Sequence, residues 1–402
     1  VVVTGAGIVT AMGCGWEANA AGFRAGRVAL GPVTVFDTSR QRVHRGGEVT
    51  FPERLPLTGI SSRQAARLDR ATRLLLHAGD EALRQAGWDA AMREDAMPLS
   101  LGTSAGAMSL GEAYFKSKTS RPETSRGTTK LAHCYQPQTQ ARVFADAFGV
   151  HGPVSIIANA CASGANAIGH AFHLVKHGRA RRAVCGGYDA IAEMVFAGFD
   201  SLQALSTTQP RPFDAARDGL ALGEGAAIVT LERLEDAQAR GAEILAEITG
   251  YGASTDLHHL TQPHPDGEAA VRSMSAACDE ARVTPSQIQY INAHGTGTSL
   301  NDSSEANAIR LWAGEAAAGI KASSTKGSIG HLLGGAGAVE TVICLMALRG
   351  GWVPPNVPVS APDAAVTFDL VTKPCDMPLQ HVLTNSFGFG GANASLVMRH
   401  CS

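Results

Sequence analysis

The chain has 402 residues, 45% of them hydrophobic and 17% charged, with a formal net charge of −2. That balance supports a large buried core and, without a long basic run, gives no handle for nucleic acid or an anionic membrane surface. The 45 glycines exceed the usual ~7% without forming a low-complexity tract, so they mark tight turns and close backbone approaches.

The opening "VVVTGAGIVTAMG" lacks a basic leader and a cleavage pattern, and reads as a strand and turn rather than a signal peptide. A helix follows at "ATRLLLHAGDEALRQAG", then strands at "MPLSLGTSAG" and "VSIIANA". The next helix is "ASGANAIGHAFHLVKHG", where Ile168, Phe172 and Val175 share a face and Gly178 is a C-terminal stop. The strand "RAVCGGYDA" comes after it. Beyond "RGAEI" the pattern restarts, with strand "LAEITGYGAST", helix "GEAAVRSMSAACDEA" and strand "IQYINAHGTGT".

This alternation predicts α/β layers. The order helix, connector, strand, Gly-Thr occurs twice, which predicts two similar α/β halves, 1–240 and 241–402. In "VETVICLMALRGGWV" Glu340, Arg349 and a glycine pair interrupt the apolar run, so no stretch is expected to reach the ~18 residues of a membrane span. The eight cysteines show no CxxC pair, which argues against a disulfide framework or zinc ribbon and for a reducing cytoplasm.

Four stretches carry chemistry. Cys161 sits in "NACASGANAIGHAF", between an apolar strand and a helix start, where unpaired N–H groups and the helix dipole favour a thiolate. Small neighbours leave room for a carbonyl; locally, a nucleophile and a packed core thiol are both open readings. In "NAHGTGTSLND" a strand delivers His294 into a Gly/Thr loop. In "SSTKGSIGHLLGGAGAVE" Lys326 and His331 precede a glycine-rich helix start that must pack closely on another backbone. In "NSFGFGGANASLV" glycines around two phenylalanines offer N–H groups, but without a P-loop lysine they suit an oxyanion beside an apolar gate better than a phosphate.

One Cys, two His, one Lys and an oxyanion loop suit acyl transfer through a thioester followed by enolate stabilisation. A metal fits worse. The run "DLHHLTQPHPDG" offers His258, His259 and His264 but no carboxylate or thiol at a known ligand spacing.

With these motifs the chain resembles the β-ketoacyl-acyl carrier protein synthases, the decarboxylating condensing enzymes of fatty-acid and polyketide synthesis. The resemblance runs through "VVVTGAGIVTAMG", "ACASG", "RPFDAARDGLALGEGAAIVTLE", "NAHGTGTSLND", "STKGSIGHLLGGAGAVE" and "NSFGFGGANASLV". It implies a thiolase-like fold with two related halves in five αβαβα layers, and a dimer. It implies decarboxylative condensation of a malonyl group with an acyl group held on Cys161, with no cofactor beyond the phosphopantetheine of an acyl carrier protein.

By the same resemblance Cys161 is the acyl-accepting nucleophile, and His294 and His331 bind the malonyl thioester carbonyl. Lys326 and Glu340 organise the second histidine. The N–H groups of Cys161 and Phe389 form the oxyanion hole, with Phe389 as a gate. Thr296 and Thr298 meet the pantetheine arm, and Ala105, Phe199, Phe387 and Gly388 border the substrate. Arg63 and Arg67, on an expected helix, fall where relatives present basic residues to the carrier, although an ordinary solvated face reads equally well.

Ala392 and Leu220 depart from the commoner Thr and Phe, and Ala105 leaves room where some relatives carry a bulkier residue. With the polar "LAHCYQPQTQAR", these features lean toward a polyketide or specialised-lipid role with a like or unlike (chain-length-factor) partner. Other readings are the chain-length factor itself, which typically lacks the cysteine, a thiolase, which usually carries a second cysteine, and a scaffold with a dead site. Because the three distant motifs require it, Cys161 is read as a nucleophile.

Overall fold

The computed structural model describes residues 1–52, 60–88, 96–120 and 127–401. In the first half the principal strands are β1 (Val2–Thr10), β2 (Leu99–Gly102), β3 (Val154–Ile157), β4 (Arg182–Asp189) and β5 (Gly225–Glu232). In the second they are β6 (Ala246–Thr255), β7 (Tyr290–Asn292), β8 (Lys321–Ser323), β9 (Asp369–Leu370), β10 (His381–Phe387) and β11 (Ala392–Arg399). The hydrogen-bonded order is β9-β8-β7-β10-β11-β6-β1-β5-β4-β2-β3.

That order contains the same arrangement twice. In each half the first strand lies innermost and pairs antiparallel with the last. Beyond that pair, three strands run parallel to one another with the second strand in the middle, and in the second half the two-residue β9 adds a fourth parallel strand at the edge. The halves meet where β1 and β6 share only two residue pairs, Val2 with Glu247 and Val3 with Ala246.

The principal helices are α1 (Arg70–Ala86), α2 (Pro137–Phe148), α3 (Ser163–Lys176), α4 (Glu193–Ser201), α5 (Glu268–Ala281), α6 (Ser299–Ala313) and α7 (Ala336–Gly350). Helices α1 and α2 cover the outside of the first half, and α5 packs with α6 on the outside of the second. Helices α3 and α7 pack on each other and on strands of both halves. The result is the five-layered thiolase-like fold that the sequence resemblance implied.

Local chemistry sets these boundaries. Asp69 caps α1 by accepting the Thr72 N–H, and Gly87 ends it in the left-handed conformation. Gly5 and Gly7 on β1 lie so close to α1 that a Cβ would sit 2.1 Å from the Ala82 oxygen and 2.0 Å from that of Ala78. Gly250 and Gly252 on β6 meet Ala277 and Ser273 of α5 in the same way, at 2.0 Å each. Thr-Gly-x-Gly is thus one packing device used twice.

Two expectations need correction. Leu333–Gly350 is, by length and apolarity, sufficient to cross a membrane, contrary to the sequence reading, but 89% of it is buried inside the fold. Its hydrophobicity serves the central layer, where α7 is buried on every side from Ala336 to Leu348, with Glu340 its one buried charged group. Arg63 and Arg67 do not share a long helix: Ser62–Ala65 is a single turn, α1 starts only at Arg70, and both arginines are exposed.

Candidate active site

Cys161 follows the end of β3, in a 3₁₀ turn that leads into α3. Ala160 before it is left-handed at φ 55°, a strained setting for a residue with a Cβ, of order 1–2 kcal/mol. Its carbonyl accepts hydrogen bonds from the hydroxyls of Ser104 at 2.9 Å and Ser163 at 2.6 Å. A Cβ on Gly164 would stand 2.8 Å from the Ala338 nitrogen and 2.9 Å from the Gly334 oxygen. The small residues at the two helix starts therefore let α3 and α7 meet backbone to backbone, as the sequence expected.

His294 comes from the loop after β7 and His331 from the turn before α7. One nitrogen of each and the Cys161 sulfur all lie within 4.8 Å of one another, and all three residues are buried. The imidazole rings meet edge to face at 5.3 Å, and Phe387 flanks His294 at 5.7 Å. Among the described residues this is the set with metal-bridging distances, but the donors do not suit an ion. The Leu333 N–H donates to His331 Nδ1 at 3.0 Å, so the neutral ring keeps its proton on Nε2, which has no partner among the described residues.

Burial drives both histidines well below the usual imidazole range, helped by the positive charge of Lys326. They are neutral donor–acceptor groups at ordinary pH. Burial pushes the Cys161 thiol up to about 11, opposed by Lys326 and the Phe389 N–H, which faces the sulfur. The sequence expectation that a helix start would favour the thiolate is therefore not met: desolvation outweighs it, and the resting group is a thiol.

Lys326 Nζ donates to the His294 carbonyl at 2.6 Å and pairs with Glu340 in a fully buried contact. It thus holds the first histidine's backbone, while its charge also acts on the second. Burial lifts the Glu340 carboxyl to about 7, with Lys326 pulling the other way.

A cavity of about 320 Å³ leads from Cys161, His294 and His331 to the surface. Thr296, Thr298, Phe199, Phe387, Gly388 and Phe389 line it, and the two threonine hydroxyls lie 2.8 Å apart. Phe389 is 40% exposed and stacks on Phe199 at 5.8 Å. Phe199 also borders an apolar cluster that contains Ala105, Phe196, Leu220 and Leu333, so Ala105 lies beyond the phenylalanine pair rather than on the cavity wall. His259 stands at the mouth, while His258 and His264 pack ring to ring at 5.0 Å on the same loop.

Three buried carboxylates escaped the sequence reading. Glu305 accepts the His294 and Gly295 N–H groups at 2.8 and 2.7 Å. Asp302 accepts Phe213 N–H at 2.8 Å and both of its oxygens receive Gly297 N–H. Asp189 ties the loop after β2 to the turn before α7. The first two were within reach, since acids three apart on α6, just after a glycine loop, share one helix face.

A thiol, two neutral imidazoles and a loop N–H at the end of a narrow cavity, on a duplicated five-layered α/β frame, define a thiolase-like acyl-transfer enzyme. Residues 1–237 match the β-ketoacyl synthase N-terminal domain family and residues 245–360 its C-terminal domain family. The chain is 36% identical to 3-oxoacyl-[acyl-carrier-protein] synthase 2 of Staphylococcus aureus, over 99% of this chain and 98% of that protein. The same identity holds for the protein of that name from Synechocystis, over 99% and 97%. The solved ishigamide ketosynthase/chain length factor aligns with TM-score 0.92 and 32% identity, covering 100% of this chain and 99% of that one. A β-ketoacyl synthase from Burkholderia phymatum aligns at 0.91 and 31%, with the same coverage. The chain belongs to the β-ketoacyl synthase family, and it is an acyltransferase of the condensing type.

Proposed function

We propose that the chain condenses an acyl group, carried as a thioester on Cys161, with malonyl on an acyl carrier protein. The observation that carries the reading is the convergence of Cys161, His294 and His331 within 4.8 Å at the end of the cavity.

His331 has its lone pair engaged by Leu333 and can only donate, whereas His294 Nδ1 is unpartnered among the described residues. The Cys161 proton therefore passes to His294 as the sulfur attacks the acyl thioester carbon. The oxyanion is held by the Cys161 and Phe389 N–H groups. The leaving pantetheine thiolate takes the proton back from His294, and acyl-Cys161 remains. Malonyl thioester then enters past Thr296 and Thr298, and its carbonyl accepts hydrogen bonds from both imidazoles. Carbon dioxide departs with cleavage of the C–C bond, and that electron pair forms the enolate. The enolate carbon attacks the acyl-Cys161 carbonyl, the β-ketoacyl thioester forms, and the cysteine sulfur leaves and takes a proton from solvent. Phosphopantetheine arrives with the substrate, and no step calls for a further cofactor.

We read the connector between β5 and β6 as the division between the halves, with the nucleophile in the first and both histidines in the second. We also propose that a second subunit closes the face beside Ser104 and Ala160. On that side β3 is the sheet edge with Val154 45% exposed, and the helices Met108–Ser120 and Thr129–Tyr135 bury no residue within the single chain. Solved relatives include ketosynthases paired with chain length factors and one bound to an acyl-carrier protein, which supports both kinds of partner.

The test is intact-protein mass measurement after mixing with a panel of acyl-carrier-protein thioesters, wild type beside Cys161→Ala. A mass gain confined to the wild type is expected. No adduct from any donor, on folded protein with its partner subunit, would sink the reading.

A further inference from the structure

Among the buried carboxylates of the described residues that the reaction above does not use, one stands between the two reacting neighbourhoods. Asp189, the last residue of β4, has no exposed surface, and among the described residues it forms no ion pair. Its carboxylate is surrounded by donors instead. Oδ1 accepts the Thr103 hydroxyl at 2.6 Å and the N–H groups of Ala105 at 2.8 Å and Gly106 at 2.5 Å. Oδ2 accepts the Gly334 N–H at 2.6 Å, and Ser104 N–H reaches both oxygens at 3.0 and 3.1 Å.

These donors belong to two different catalytic neighbourhoods. Ser104, fixed by Asp189, donates its hydroxyl to the carbonyl of left-handed Ala160, the residue that aims Cys161. Gly334 follows Leu333, which is itself left-handed at φ 49° and whose N–H fixes the His331 ring. Two strained non-glycine residues, one beside each reacting group, are thus braced through one carboxylate. Strain of this kind persists only where the surroundings over-determine it.

We infer that Asp189 is the positioning residue that sets Cys161 and His331 relative to each other, acting through Ser104 and Ala160 on one side and Gly334 and Leu333 on the other. It touches neither substrate nor reacting atom. The inference rests on the proposed reaction for its rate readouts, but its geometric content does not.

The test is Asp189→Asn, which keeps the volume but turns an amide N–H₂ toward groups that are all donors. Acylation of Cys161 and malonyl decarboxylation are measured separately, per folded molecule. Both are expected to fall at least about tenfold, with the KM for the malonyl thioester within about twofold. Glu232→Gln is the matched control. That carboxylate is equally buried, but it is held by Thr4, Trp88, Arg182 and Arg240 away from the cavity. It should lose stability and keep both rates.

Iodoacetamide alkylation of Cys161 needs no carrier thioester, and it should change several-fold in Asp189→Asn. If wild type performs neither half-reaction while alkylation still responds, the proposed function falls and the positioning role stands. Rates and alkylation within twofold of wild type would overturn the role, as would a loss confined to one half-reaction. Should Asp189→Asn fail to fold, Ser104→Ala breaks only the Cys161 side. It should slow acylation more than decarboxylation, and an equal effect on both would overturn the inference.

Discussion

The Lys326 side chain donates to the main-chain carbonyl of His294 at 2.6 Å while it pairs with Glu340 in the protein interior. One cation thus secures the His294 main chain and neutralises a buried carboxylate. Lys326→Ala should destabilise the fold by about 3–5 kcal/mol, because Glu340 is left buried without its partner. Replacing both, as Lys326→Met with Glu340→Leu, should recover much of that stability but not the activity, since the His294 carbonyl stays unheld. Urea unfolding alongside turnover separates the two; recovery of activity in the double variant would refute this account.

The thiol of Cys161, raised to about 11 by burial, sets a pH signature. A raised thiol pKa means the reactive thiolate is scarce at neutral pH and grows about tenfold per pH unit until the pKa is approached. Alkylation by iodoacetamide should therefore keep climbing through pH 9 and 10. A plateau by pH 8 would show a preformed thiolate instead.

Decarboxylation asks for imidazole donors and not for the sulfur, so Cys161→Ala should still release carbon dioxide from malonyl thioester. Both histidines are held well below the usual value of 6.5, so their neutral form persists as pH falls through that value. The rate in this variant should stay level between pH 8 and pH 6, and a decline centred on 6.5 would contradict the burial argument. His331→Ala should lower kcat by roughly 10²–10³ with little change in KM.

The central seam makes a steric prediction. Gly164→Ala places a methyl 2.8 Å from the Ala338 nitrogen, against backbone that cannot swing aside. It should cost roughly 1–3 kcal/mol or more and slow both half-reactions. Gly198→Ala in α4, where nothing lies within 4 Å of the new methyl, should leave stability unchanged or raise it by up to ~1 kcal/mol. Thermal unfolding of the pair checks the contrast, and equal behaviour would discount the seam.

Local signals explain what the sequence disclosed. The Cys161 junction, the loops of His294 and His331, and the crowded glycines of the helix starts each follow from strand-to-helix transitions within a few residues. The partners of buried carboxylates do not. Asp189 reads as the end of an apolar strand, and its donors Thr103 and Gly334 lie 86 and 145 positions away. Burial itself was equally hidden, which is why the helix start was credited with a thiolate that desolvation denies. Lys326 does pair with Glu340 as the resemblance implies, but its second partner, the His294 carbonyl, is a main-chain oxygen, and main-chain atoms carry no sequence signature. The Thr-Gly-x-Gly repeat of β1 and β6 was there to be read and is a plainer mark of duplication than the helix–strand echo.

The sparse join between β1 and β6 has a consequence for the order of events at synthesis. Cys161 leaves the ribosome with the first half, well before either histidine exists as part of a folded structure. Until the second half folds against the first, the thiol has neither imidazole beside it and no Phe389 N–H facing its sulfur. On the proposed reaction, acyl transfer switches on only when the second half closes over Cys161, and a truncated or stalled chain would present that cysteine without the groups that convert it into a catalyst.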